Sequence, residues 1–333
     1  MLCLALLASI SFAQFGETVK MIQERGSLLC TGHNGSYLGF AEVDDEGNWQ
    51  GFDIEMCKAL AATLLGDAEA LQIIPISWAQ RFPALQSGDI DVIIKVTGWT
   101  MGRDTELGLQ YAQPYFYGAT QIMVNKDIGA ESVADLDGAT LCIAAGTSTE
   151  RITADYFEGQ GVSYETLAFE TSEELRAAFF AGRCDAYAGW GPNLATTRSS
   201  QDNPDQYTIL PDVMALEPEG IAMRQGDDNF VDVVNWMMSA MLLAELNGIT
   251  SENVDDIRAN PPTPTVERLL GATPGIGERL GLSDDWAYNV IKQVGNYGEV
   301  FDRTLGSGSV YNLDRGINAL YTEGGILVPN ILD

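Results

Sequence analysis

Residues 88–105 constrain the fold more than any other part of this chain. They open with a Gly-Asp turn and continue with an apolar, largely β-branched run at residues 90–96, which is typical of a strand buried on both faces of an α/β sheet. The strand pattern breaks at Gly98, where the missing side chain allows the backbone to approach another group closely. Ligands of open α/β sheets lie just beyond such strand ends, so this segment predicts one side of a binding cleft.

Arg103 follows this strand end by a few residues, beside backbone N–H groups of the connecting loop. Its planar guanidinium can hold a carboxylate through two parallel hydrogen bonds. The alternative is that Arg103 pairs with Asp104 or Glu106 on a solvated surface. The spacing alone favours neither interpretation.

Strand and helix patterns alternate along the chain, which predicts mainly parallel sheets. The layout of residues 78–98, a helix, a small-residue turn, an Asp and a strand ending in glycine, returns at residues 173–190. We therefore predict two α/β lobes of one design, each a mainly parallel sheet flanked by helices, with a strand end of each facing a common cleft. Residues 14–118 and 222–333 form the first lobe in this prediction, and residues 119–221 form the second.

Composition narrows the class of protein. Residues 1–13 are apolar and end in a small-x-small pattern, so we interpret them as a signal peptide cleaved before Gln14 and expect an exported protein. No stretch of 18 or more apolar residues is present to span a membrane. The formal net charge of −29 argues against nucleic acid and anionic membrane surfaces as partners.

The cysteines predict disulfides rather than a metal site. Cys3 lies in the signal peptide, and the four that remain have no CxxC spacing, while His33 is the only histidine. A zinc site, another cofactor or histidine-dependent catalysis is therefore not expected. Four cysteines allow three pairings. We favour the two pairings that lie within one lobe each, which are Cys30–Cys57 and Cys142–Cys184.

Two loops carry further candidate binding residues. The glycine-rich loop at residues 32–40 contains Asn34 and Tyr37 and can approach a ligand closely. Thr147 and Ser148 precede a helix whose free N–H groups and dipole form a ready anion site. The alternative is that they are ordinary helix caps, with Glu150 completing a capping box.

Several short motifs, taken together, resemble one known family. They are Gly-Phe-Asp at 51–53 with Cys57, Phe-x-x-Leu-Gln-Ser-Gly at 82–88 with Asp-Val at 91–92, Trp-Thr-x-x-Arg-Asp-Thr at 99–105, Gly-Thr-x-Thr-Glu at 146–150, Arg-Cys-Asp at 183–185, Arg-Gln-Gly-Asp-Asp at 224–228 and Gly-Asn-Tyr-Gly-Glu-Val-Phe at 295–301. Over nearly the whole mature chain the sequence resembles the periplasmic amino-acid-binding proteins of ABC importers, in solute-binding protein family 3, and specifically their general L-amino-acid-binding branch.

The resemblance implies a type II periplasmic-binding-protein fold, in which two α/β lobes joined by two crossing strands close over a ligand by hinge motion. Arg103 would then hold the ligand α-carboxylate, helped by backbone N–H groups near Gly98 and at residues 147–148. The full set of residues expected to contact the ligand is Asn34, Tyr37, Trp78, Arg81, Gly98, Arg103, Thr147, Ser148 and Trp190.

One departure from the family pattern concerns the ligand ammonium. The family usually places an Asp at the end of the second-lobe strand to pair with it, and this chain has Trp190 there. Breaking such a desolvated pair costs about 2–5 kcal/mol, whereas an indole face returns roughly 0.5–2 kcal/mol as a cation–π contact. Trp190 therefore predicts a ligand with an apolar, aromatic or methylated cationic end. In the alternative, Trp190 points into the second lobe and Asp185 or Glu217 serves the ammonium.

These observations favour a periplasmic, monomeric solute receptor that delivers a small carboxylate-bearing molecule, an amino acid or a derivative, to a membrane permease. An enzyme on the same scaffold, such as a small-acid dehydratase, is the alternative. Proton transfer would need paired acids or a histidine in the cleft, and the residues expected there include no such pair. A ligand-sensing partner of a signalling receptor is a third possibility.

Overall fold

The structure is a computed structural model that describes residues 16–333. The predicted signal peptide lies outside the described residues. Within them, no helix is both long enough and apolar enough to cross a membrane.

The chain alternates strands and helices. The strands are β1 (Leu28–His33), β2 (Glu42–Val43), β3 (Trp49–Gln50), β4 (Leu71–Ile76), β5 (Ile93–Gly98), β6 (Leu109–Asn125), β7 (Ala139–Ala144), β8 (Tyr164–Phe169), β9 (Ala186–Trp190), β10 (Tyr207–Ile209) and β11 (Ala215–Arg224). The helices are α1 (Glu17–Arg25), α2 (Phe52–Leu65), α3 (Arg81–Ser87), α4 (Met101–Glu106), α5 (Ser148–Gln160), α6 (Ser172–Phe180), α7 (Gly191–Ser199), α8 (Asp228–Leu246), α9 (Val254–Ala259), α10 (Pro264–Leu269), α11 (Trp286–Gln293) and α12 (Tyr297–Thr304).

Two long antiparallel strands, β6 and β11, connect the two halves of the molecule. A seven-stranded sheet runs in the order β5-β11-β6-β9-β7-β8, with β10 also paired to β6. The first part of β6 pairs with β11, and its last residues, from Thr120 to Val124, pair with β9. Strand β6 therefore has partners in both halves, and β11 runs beside it, as expected for the two crossing strands that the family resemblance implies.

The expected α/β class is confirmed, but the sheet is mixed rather than mainly parallel. The pairs β1–β4, β7–β8 and β7–β9 are parallel, as crossover helices require. The antiparallel pairs include all those made by the crossing strands β6 and β11. The chain thus passes between the two βαβ halves through β6 and β11, which pair with each other in antiparallel orientation.

The apolar cores follow this division. Two clusters draw their buried members only from residues 122–210 and fill the two faces of the β7–β9 part of the sheet. A larger cluster packs α2, α8, α11 and α12 onto the other end of the sheet. In α8, buried apolar residues follow one another almost without interruption, because sheet and helices cover it on several sides.

Both predicted disulfides are present. Cys30 at β1 is bonded to Cys57 in α2, with Cα atoms 6.1 Å apart, and Cys142 in β7 is bonded to Cys184, with Cα atoms 5.6 Å apart. Each bridge ties a strand to a neighbouring segment of the same half. Closing loops of 27 and 42 residues stabilises each half by about 3.5–4 kcal/mol in the chain-entropy estimate.

Candidate ligand-binding site

A cleft that is partly open to solvent lies where the two halves meet the crossing strands. Its walls come from both ends of the sheet and from the hinge. The lining residues are Tyr37, Trp78, Arg81, Val96, Arg103, Ala144, Thr147, Ser148, Thr149, Ser172, Tyr187, Ala188, Gly189, Trp190, Asn193, Glu217 and Glu219.

One side of the cleft, which we call the cationic wall, consists of Arg81 and Arg103. Both guanidinium groups lie against the ring of Phe82, at 4.2 and 5.3 Å from its centroid. Burial lowers the pKa of Arg81 to about 9, and the charge of Arg103 adds to this effect. Arg81 therefore remains a cation at neutral pH. No ion pair within residues 16–333 includes either guanidinium.

Arg103 is oriented by contacts within its own turn. Thr100 caps α4 by accepting a hydrogen bond from the Arg103 backbone N–H, and the Arg103 Nη1 donates to the Gly98 carbonyl at 2.8 Å. The predicted surface alternative does not occur, since neither Asp104 nor Glu106 forms an ion pair with Arg103 among the described residues. The guanidinium instead lines the cleft.

The start of α5 faces the same space. Thr147 is the N-cap residue, but its hydroxyl donates to the Ala144 carbonyl at 2.8 Å and does not cap the helix. Glu150 accepts only a long bond, 3.4 Å, from the Gly146 N–H and forms no capping box. The capping alternative is therefore wrong. The first N–H groups of this 13-residue helix remain available to an anion.

The floor of the cleft contains a strained residue. Val96 has φ +28°, a conformation that β-branched residues rarely adopt and that costs about 1–3 kcal/mol. Its N–H donates to the Tyr115 hydroxyl at 2.9 Å, which in turn donates to Asp53 at 2.7 Å. Burial raises the pKa of Asp53 to about 7, against the lowering effects of the Tyr115 hydrogen bond and the nearby Lys95. This buried network holds the end of β5 in place.

The side opposite in charge, which we call the acidic wall, consists of Glu217 and Glu219 on β11. Alternate residues of a strand share a face, and here both carboxylates line the cleft. Their side chains are nearly inaccessible, at 6% and 2% exposure. Burial raises the pKa of Glu219 well above its ordinary value, and Glu217 raises it further, whereas Arg103 and Arg81 act in the opposite direction.

Glu217 accepts hydrogen bonds from two hydroxyls. One comes from Thr120 on β6 and the other from Ser148 on α5, at 2.6 Å for the latter. A Cβ at Gly98 would lie 3.0 Å from the Glu217 Oε2, 3.5 Å from the Arg103 Nη1 and 3.6 Å from the Ser148 Oγ. The missing side chain of Gly98 thus leaves room for three polar groups to converge.

Trp190 lines the cleft and packs toward the first half of the molecule. Its ring meets Phe40 and Phe116 edge-on, at centroid distances of 5.0 and 5.3 Å, and lies against Gly118. The alternative in which Trp190 points into the second lobe is wrong. Only 5% of the residue is exposed, and the indole Nε1 has no hydrogen-bond partner in the described part of the chain. Because an indole N–H is only a donor, that edge offers nothing to an ammonium.

Aromatic rings form the remaining wall. His33 stacks on Tyr37 at 4.7 Å and meets the edge of Trp78 at 4.8 Å. Burial, together with the charges of Lys95 and Arg81, holds the pKa of His33 well below its usual value. His33 is therefore a neutral packing residue. Across residues 16–333, no group of three or more His, Cys, Asp or Glu side chains is arranged to hold a metal ion.

Seven of the nine predicted contact residues line this cleft: Tyr37, Trp78, Arg81, Arg103, Thr147, Ser148 and Trp190. Gly98 lies beside it through the contacts above, and Asn34 does not line it. The binding role of these residues stays a prediction. The expectation that no pair of acids would lie near the cleft is wrong, because Glu217 and Glu219 form one. Asp185, the other acid considered for an ammonium, is exposed and accepts a bond from the Thr140 N–H at 2.8 Å.

Residues 29–251 match the model of a family described as bacterial extracellular solute-binding proteins, family 3. The chain is 43% identical to the general L-amino acid-binding periplasmic protein AapJ of Rhizobium johnstonii, over 97% of this chain and 94% of that protein. It is 39% identical to the glutamate/glutamine/aspartate/asparagine-binding protein BztA of Rhodobacter capsulatus, over 97% and 95% of the two chains.

A solved structure resembles the whole molecule. It is an ABC transporter periplasmic binding protein from Brucella ovis with glutathione bound. The two chains superpose with a TM-score of 0.89 and are 42% identical, and the match covers 94% of this chain and 98% of the other.

Proposed function

The chain belongs to family 3 of the bacterial extracellular solute-binding proteins, and from this premise we propose that it binds an amino acid or a close derivative for an ABC importer. One observation carries the proposal. The cleft between the two halves contains two cations, Arg81 and Arg103, that have no ion-pair partner within residues 16–333, and two buried acidic side chains. Such an arrangement complements a ligand with both a carboxylate and an ammonium. Arg103 is the residue we assign to the carboxylate.

The rest of the molecule fits this role. The lobes consist of residues 14–118 with 222–333 and of residues 119–221, so that the boundaries fall within β6 and β11. Closure of the lobes encloses the ligand. The protein is a monomer that is exported to the periplasm through its signal peptide, and its ligand-loaded form docks on a membrane permease. Relatives named as periplasmic binding proteins support this location.

Catalysis is not part of the proposal. The Glu217 and Glu219 pair supplies acids that a dehydratase would need. The sequence argument against an enzyme, that the cleft has no pair of acids, therefore no longer holds. The near-full-length relatives described above are nevertheless binding proteins. We therefore assign the acids to recognition.

The proposal is tested by thermal shift and calorimetry with purified mature protein. The ligands are L-glutamate, L-glutamine, L-aspartate, L-asparagine, glutathione, glycine betaine, glutarate and succinate. A ligand at 100 times its Kd adds about 2.7 kcal/mol to the free energy of unfolding, which raises the Tm visibly. We expect at least one amino acid or glutathione to bind at micromolar Kd and to be recovered unchanged by NMR. Absence of binding across the panel would refute the receptor function, and turnover would support the enzyme.

A further inference from the structure

At the strand end where the family usually provides an acid for the ligand ammonium, this chain has no acidic residue. Trp190 occupies that strand end, and its ring is largely covered by Phe40, Phe116 and Gly118. Asp185 is exposed and bonded to the Thr140 N–H, outside the cleft. Neither residue can offer a free acceptor to a ligand enclosed between the lobes.

Glu219 does offer such an acceptor. The residue is 2% exposed, lines the cleft, and its Oε2 has no hydrogen-bond partner among the residues that the structure describes. A buried carboxylate oxygen without a donor is costly, so it needs an explanation in the native protein. A cationic donor that arrives with the ligand would satisfy this atom.

Glu217 supplies a second acceptor on the same face of β11. Its two donors are neutral hydroxyls, from Thr120 and Ser148. No ion pair within residues 16–333 includes Glu217 or Glu219. Neither acid therefore has a cationic partner in direct contact among the described residues.

We propose that Glu217 and Glu219, on the crossing strand β11, bind the ligand ammonium and set the preference for amino acids over deaminated acids. The inference rests on the proposed function and names the second half of its site. A protonated amine has three N–H donors, and the two carboxylates present several acceptor atoms toward it. The carboxylate and the amine of one amino acid would then lie between the cationic and acidic walls.

The location on β11 has a further implication. Because Ser148 begins α5 in the second half and donates to Glu217, this bond ties the second half to the hinge strand. An ammonium held by the acidic wall therefore contacts the element about which the lobes close. The family's usual acid, in contrast, belongs to the second lobe alone.

The test compares each amino acid with the acid that lacks only its amine. Calorimetry measures L-glutamate against glutarate and L-aspartate against succinate, in the parent and in Glu217→Gln, Glu219→Gln, Asp185→Asn and Trp190→Phe. Circular dichroism melts establish that every variant is folded. We expect at least one glutamine variant to reduce the preference for the amino acid by tenfold or more, while affinity for the deaminated acid changes less than threefold.

Asp185→Asn is the matched control, because it removes an acid outside the cleft and should leave the preference unchanged. An unchanged preference in both glutamine variants overturns the inference, as does a preference lost in Trp190→Phe or Asp185→Asn instead. If the parent binds only another ligand of the panel above, the same comparison uses that ligand and the analogue that lacks its amine. If it binds no amino acid and no glutathione, the proposed ligand class fails and the inference fails with it. An absence of binding is distinguishable from equal affinity for the amino acid and its deaminated analogue, which would overturn the inference alone.

Discussion

The cationic and acidic walls of the cleft differ in how the chain places their charges. Arg81 and Arg103 sit on short helices that follow strands β4 and β5, so each occupies a local strand-to-helix position. Glu217 and Glu219 instead lie within a strand, and only the pleat of β11 turns both toward the ligand space. The first wall depends on local motifs and the second on the register of a strand. Consequently, substitutions in the cationic wall should mainly change ligand affinity, whereas substitutions in the acidic wall should also change the stability of the ligand-free protein.

The largest expected effect concerns the cationic wall. Arg103→Ala should weaken binding of the best amino-acid ligand by at least about 100-fold, roughly 2.7 kcal/mol, because the ligand carboxylate would be enclosed without its partner. Calorimetry measures the affinity, and a thermal melt checks that the variant is folded. Arg183→Ala, which removes an exposed arginine, is the control and should bind normally. Affinity within threefold of the parent would place Arg103 outside the site.

The second prediction tests the point at which the two walls meet. Gly98→Ala would place a methyl group 3.0 Å from the Glu217 Oε2. We expect it to displace the carboxylate from Ser148 and to reduce affinity by about tenfold, or 1.4 kcal/mol. Gly102→Ala is the control, because its Cβ would lie 3.9 Å from the nearest group, the Glu106 side chain. Equal affinities of the two variants would show that the convergence at residue 98 has no role in binding.

The smallest expected effect concerns the stability cost of the acidic wall. The raised pKa of Glu219 means that, above the ordinary glutamate pKa, the folded state binds more protons than the unfolded state. The contribution of this group to the free energy of unfolding therefore falls as the pH rises. Glu219→Gln removes this loss, so the ligand-free variant should match the parent near pH 4 and become progressively more stable than the parent as the pH rises toward 8.

Denaturant titrations at several pH values measure this difference. The charged or titratable groups around Glu219 are Tyr37, Asp53, Arg81, Arg103, Tyr111, Tyr115 and Glu217. All of them are present in the variant, so the difference reports Glu219 together with its coupling to these neighbours. Glu165→Gln, at an exposed position of β8, should show no such trend. A parent that stays as stable as Glu219→Gln up to pH 8 would contradict the proposed cost.

The cationic wall could be predicted from the sequence because its signals are local. An apolar strand, a glycine and an arginine a few residues later are adjacent in the chain, and family motifs surround them. The acidic wall was predicted only in part. Glu217 was named as an acid that could serve the ammonium, but Glu219 was missed because no strand was predicted at residues 215–224. Once β11 is known, the Glu-x-Glu spacing of residues 217 and 219 is the signal that could have identified it.

The hinge was also only partly predicted, for a physical reason. The sequence pattern predicts a strand only at residues 119–125, but β6 begins at Leu109. Pro114 argues against a central strand because it lacks an N–H donor. In the structure, Pro114 lies opposite Gly220, where the register between β6 and β11 shifts. The irregular pairing accommodates the proline, and no local sequence pattern indicates such an irregularity.

Thr120 on β6 lies directly opposite Ala215 on β11. The chain thus leaves the β6–β11 pairing at Thr120 and returns to it at the paired position, Ala215. The two apolar clusters built from residues 122–210 lie wholly within the segment between these two residues. In topological terms the second half is an insertion into a complete β6–β11 hairpin. A shuffled gene could replace it with the corresponding segment of a relative at two neighbouring junctions. Ligand preference could then be recombined while Arg103, Glu217 and Glu219 remain in the recipient chain.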